Sequence, residues 1–133
     1  MKYFGIALMA LLVLVSCGDS NDAINIANKT TMTIEPELFD AGEVIKGEMI
    51  DAKYIITNTG DFPLIMAEVK GGCSCTVADY PDEPIQPGES GSIIAHVNTD
   101  ETGMGSLNKG VSIVANTEPS VTTVIIRANV IRK

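Results

Sequence analysis

The chain has 133 residues, with 9 Lys and Arg against 17 Asp and Glu, a single His, three Cys and no Trp. Its formal net charge of −8 repels phosphate backbones, and no basic stripe offsets it, which argues against nucleic-acid binding, where Lys and Arg must displace condensed counterions. The length suffices for one domain with a real core and is too short for two.

The chain opens on a targeting signal. Lys2 supplies a positive start, residues 3–15 carry no charge, and Leu14-Val15-Ser16-Cys17 closes the run with small residues before a cysteine. This ending resembles a bacterial lipoprotein signal. The resemblance implies that residues 1–16 are removed, that the Cys17 thiol carries a diacylglyceryl group, and that the freed amine is acylated in many relatives. The apolar run is shorter than the roughly 20 residues a spanning helix needs, whereas two or more acyl chains hold a protein to a bilayer without insertion. The expected location is the bacterial cell envelope, lipid-anchored at Cys17, on the periplasmic side or surface of the outer membrane. Cleavage removes Lys2 and no acid, one cation fewer than the −8 of the whole chain, hence a mature charge of −9. Residues 17–30 are small and polar, with Asp19 and Asp22 among them, and read as a flexible tether.

From Met32 onward the apolar residues alternate. Ile50, Ala52, Tyr54 and Ile56 fall on one side of a strand, Asp51, Lys53 and Thr57 on the other, with Ile55 breaking the polar face. The same period places Ile65, Ala67 and Val69 together, then Ile93, Ala95 and Val97, then Val111, Ile113 and Ala115, then Val124, Ile126, Ala128 and Val130. Turn signals separate the runs: Asn58-Thr59-Gly60-Asp61, Gly71-Gly72, Pro81-Asp82-Glu83-Pro84, Pro87-Gly88-Glu89, Thr102-Gly103-Met104-Gly105 and Asn116-Thr117-Glu118-Pro119. No helical stripe is sustained after residue 31, and β-branched residues dominate the runs. About seven short strands in about 100 residues predict an all-β domain over residues 31–133, an immunoglobulin-like antiparallel β-sandwich. Without Trp, its core must be aliphatic.

With Cys17 assigned to lipid, Cys73 and Cys75 remain as a pair. In an extended strand both thiols share a face, with Cα atoms roughly 6.6 Å apart, near the upper limit for a disulfide, so bridging requires a local turn. Three readings stay open. The two can pack an edge or loop as small hydrophobes; they can form a labile redox pair in an oxidising compartment; or two thiolates can hold a soft ion such as Cu(I), with Met49, Met66 and Met104 as further donors. His96 alternates with Ile94 on the face away from Ile93, Ala95 and Val97, and becomes a ligand or base only if folding brings it to Cys73 and Cys75. No phosphate-cradling loop, metal-binding His cluster or nucleophile elbow is present, and Asp82 and Glu83 read as solvated charges among turn prolines. The expectation is no catalytic residue and no cofactor.

Several phrases, in order, resemble one bacterial family of uncharacterised Ig-like domains related to the Hydin-type domains of cilia and centrosomes. They are Phe39-Asp40-Ala41-Gly42-Glu43-Val44, Asn58-Thr59-Gly60 with Pro63-Leu64, Gly72-Cys73-Ser74-Cys75-Thr76, and Ile85-Gln86-Pro87-Gly88-Glu89-Ser90-Gly91, with Lys109 and Asn116 continuing the pattern. The resemblance covers residues 33–130. The family's usual phrase is Cys-Gly-Cys-Thr; Ser74 stands here in place of the central glycine. The resemblance implies the fold and an envelope location, and no known activity. The functional expectation is a monomeric, non-enzymatic module that binds another envelope protein through a sheet edge or the loop around residues 73–83. The rival is a thiol-redox or copper-binding protein that works through Cys73 and Cys75.

Overall fold

Alternating sequences need a second surface to cover their apolar face, and here two sheets cover one another. The computed structural model describes residues 28–133, so the expected signal peptide, Cys17 and most of the expected tether lie outside the described residues. Eight strands follow in order: β1 (Met32–Glu35), β2 (Leu38–Ile45), β3 (Met49–Asn58), β4 (Met66–Gly71), β5 (Thr76–Asp79), β6 (Ser90–Asn98), β7 (Gly105–Ala115) and β8 (Val121–Ile131). One sheet has the order β1-β3-β6-β5 and the other β2-β8-β7-β4. The residues that alternation assigned to the interior of β3, β6, β7 and β8 are buried, and Ile55 is exposed. Among the described residues Tyr54 is the one fully buried aromatic, edge-on to Phe39, with its hydroxyl donating to Ile125 O at 3.0 Å. Burial pushes its pKa up to about 12, so it stays a donor.

The expected all-β sandwich is present, with eight strands among the described residues against about seven expected. One pairing departs from the antiparallel expectation: β2 runs parallel to β8 from Leu38 opposite Ile125 to Ile45 opposite Ile131. The cause is a split edge. β1 pairs with β3 as far as Glu35, Pro36 brings no N–H to continue a ladder, and the chain crosses to the other sheet to lie along β8.

The phase of β4 also differs from strict alternation. Met66 lies opposite Ala115 and Glu68 opposite Val114, so Ala67 is the extra residue of a β-bulge. Ala67 is therefore exposed while Val69 and Leu64 are buried and Met66 packs partly on the core.

Two turn asparagines are buried and close one end of the sandwich. Asn58 accepts from Thr30 Oγ1 (2.8 Å) and Gly60 N (3.1 Å) and donates to the carbonyls of Phe62 (2.7 Å) and Ile85 (2.8 Å). Asn116 accepts from Ile65 N and donates to the carbonyls of Asn28 and Pro63. Gly60 permits this closure, since a Cβ there would stand 2.1 Å from Thr30 Oγ1. Thr30 also bridges Thr117, so the last residues of the expected tether are bonded into the folded domain.

Candidate functional site

The cysteines sit where the chain changes sheets. β4 is an edge strand of one sheet, β5 an edge strand of the other, and residues 72–75 join them. Gly72 N donates to Gly110 O (2.9 Å), Thr76 N to Cys73 O (3.2 Å) in a turn, and Asn98 N to Cys75 O (2.9 Å). That turn brings the Cα atoms of Cys73 and Cys75 to 5.3 Å, and the two are joined as a disulfide. This is the local turn that bridging requires, because a tight connection between the edges of two sheets cannot stay extended. Cys75 is buried, Cys73 half-buried and Ser74 exposed. The Thr76 hydroxyl lies 3.6 Å from Cys73 Sγ and 3.7 Å from Cys75 Sγ. Gly71 lets the crossover close: a Cβ there would come within 2.5 Å of Thr76 Cβ.

His96 does not join them. It projects from the outer face of β6, directly opposite Asp51 on β3 and Val77 on β5. Its Nδ1 is 2.6 Å from Asp51 Oδ1 and its Nε2 3.0 Å from Asp79 Oδ2. Both ring nitrogens can donate only in the imidazolium form. The hydrogen bonds to Asp51 and then Asp79 raise the His96 pKa, against a smaller opposing effect of burial. The three side chains thus clamp three adjacent strands. The methionines lie on separate elements: Met49 exposed on β3, Met66 against the core from β4, Met104 exposed just before β7. Among the described residues, no group of three or more His, Cys, Asp or Glu is placed to hold a metal ion.

A third feature was not singled out by sequence. A groove of about 720 Å³ opens between β1 and the start of β8, lined among others by Met32, Ile34, Glu35, Glu37, Thr123 and Val124. It depends on which edge each strand occupies, and periodicity carries no such information.

A family model described as "Protein of unknown function (DUF1573)" matches residues 32–130, from the first residue of β1 to the last but one of β8. The chain belongs to that family. No curated protein matches it. Among solved structures, a protein of unknown function from Porphyromonas gingivalis W83 is similar over 83% of this chain and 51% of its own, with 23% identity and a TM-score of 0.67. This chain therefore spans about half the length of that protein. PapD-like domain 7 of human CEP192 is similar over 79% of this chain and 88% of its own, at 8% identity and a TM-score of 0.63. The CsuC–CsuE chaperone–tip adhesion subunit pre-assembly complex from Csu pili of Acinetobacter baumannii contains a chain similar over 75% of this one and 57% of its own, at 13% identity and a TM-score of 0.52. At these identities the likeness is one of fold, an Ig-like sandwich of PapD-like type.

Proposed function

We propose that this protein is a non-enzymatic envelope lipoprotein, held to the membrane through Cys17, whose Ig-like domain binds another envelope protein through an open sheet edge. The observation that carries this reading is the pair of short edge strands, β1 and β5, each hydrogen-bonded on one side only among the described residues, with Val77 of β5 64% exposed. Open edges pair with other chains unless they are blunted, and exposed apolar side chains beside them add a contact surface. The fold is shared with a chain found in a complex of two pilus-assembly proteins, which supports the reading by analogy of fold alone.

Affinity capture of the full lipidated chain from its own cells after cross-linking is the test. A reproducible envelope partner is expected; capture of none refutes the reading. The anchor has its own check. Cys17→Ser should shift the chain out of the membrane fraction or leave it as uncleaved precursor, and an intact mass with unmodified Cys17 in the membrane form refutes lipidation.

The second reading keeps Cys73 and Cys75 as working residues. It is supported by the disulfide itself, whose Cys73 half is only half-buried, and exchange requires access of a thiolate to a bridge sulfur. A copper role would require that bond to be reduced first, since thiolates are the ligands.

A further inference from the structure

The groove between β1 and β8 is bounded by two strands with unused backbone groups. Just before β1, Thr31 O accepts from Thr59 N, while the N–H and C=O of Asn58 are taken by Glu89 and Gly88 on its other side. Met32 and Asn58 are therefore a pair that exchanges no backbone bonds. Alternation along an antiparallel ladder then turns the N–H and C=O of Met32 and Ile34 away from β3, into the groove. On β8, Ile125 N donates to Glu37 O, and β2 starts only there. By the same alternation Thr123 directs its backbone groups toward the groove, where β2 does not reach.

Side chains define what could enter. Met32 and Ile34 turn inward and pack partly on the core, beside buried Val124. Thr33 and Glu35 turn outward and are exposed, and Glu37 is exposed at the crossing. Glu118 at the rim is paired with Lys29, whereas among the described residues no cation pairs with Glu35 or Glu37.

We infer that this groove is the docking site for an extended segment of a partner protein that adds as a strand to β1, with alternating apolar residues turned inward beside Met32, Ile34 and Val124 and Lys or Arg turned outward beside Glu35 and Glu37. This rests on the interaction-module reading above and names its surface and the chemistry of its ligand. Main-chain bonds supply pairing, the inward residues burial, and the two free carboxylates charge selectivity. An acidic segment of the same pattern would meet like charge at the same positions and be rejected.

The test uses the full chain in detergent and two labelled octapeptides, one alternating Val and Lys, the other Val and Glu. The Val–Lys peptide is expected to bind and to slow amide exchange of residues 31–35 by about tenfold or more. Glu35→Lys and Glu37→Lys should each weaken binding about tenfold, while Glu68→Lys on exposed β4, which changes the net charge equally, should not. No binding, protection elsewhere than residues 31–35, equal binding of the Val–Glu peptide, or equal loss in all three variants overturns the proposal. Capture from cells separates the two readings: a partner still held by the Glu35→Lys chain removes the groove and leaves the interaction module standing.

Discussion

Asn58 shows what one polar side chain does in an aliphatic core. Fully buried, it spends both amide protons and accepts two hydrogen bonds, joining Thr30, Gly60, Phe62 and Ile85 across three segments far apart in sequence. Asn58→Ala would leave the buried Thr30 hydroxyl and the Gly60 N–H without their acceptor and take one of two donors from the Ile85 carbonyl, which keeps Leu64 N, so it should cost about 2–4 kcal/mol in urea denaturation, whereas Asn108→Ala on the exposed side of β7 should change stability by less than about 0.5 kcal/mol. A small loss at Asn58 would mean water enters that end of the sandwich. His96 gives a pH-dependent counterpart. Its folded pKa is raised by Asp51 and Asp79, so its contribution is fully present below the unfolded value of about 6.5 and is lost as pH rises through the folded one. Nuclear magnetic titration should place His96 above the ordinary value, with Asp51→Asn lowering it more than Asp79→Asn. Titration at or below the ordinary value would show that the clamp does not hold in solution. The His96 position was legible as an outward residue, but its partners were not, because Asp51 and Asp79 reach it only through the β3–β6 and β5–β6 registers.

The central strands were the most legible elements, since each is half-buried along its whole length and its period survives undisturbed. Ile126 on β8 is wholly buried, so Ile126→Ala should cost about 2–5 kcal/mol, and Thr123→Ala on the exposed side of the same strand should cost little. Equal losses, read from urea midpoints, would mean that the two faces of β8 are not differently buried. The edge elements were less legible for identifiable reasons. Ala67 is the inserted residue of a bulge, and one inserted residue reverses the phase of what precedes it, so that Leu64 and Met66 turn to the core in place of the expected Ile65 and Ala67. β2 shows the other limit: its apolar pattern does not encode whether it meets β8 in the parallel or antiparallel sense, and that choice follows from where Pro36 lets the chain cross.

At the scale of the whole molecule, the sandwich depends on two aliphatic sheets, and the cysteine bridge lies at their margin. The sequence singled out Cys73 and Cys75 and required a local turn for any bridge between them, but left open whether they are bridged, free or metal-bound; the turn itself follows from β4 and β5 belonging to different sheets. The bridge spans a sequence separation of 2, so it closes too small a loop to restrict the unfolded chain strongly. Cys75 is buried and packs beside Thr76, so removing the sulfurs costs local packing rather than the core. The double variant Cys73→Ser with Cys75→Ser should therefore unfold cooperatively and lose no more than about 2 kcal/mol. A larger loss or a broad transition would assign the bridge a structural role that the aliphatic core cannot supply. The same variant discriminates between the two functional readings. An interaction module that docks through β1 keeps its partner, since the cysteine crossover joins β4 to β5, and β5 is the opposite edge of the sheet from β1. A redox protein loses its function with its fold intact, and that outcome would transfer the working site from the sheet edge to the disulfide.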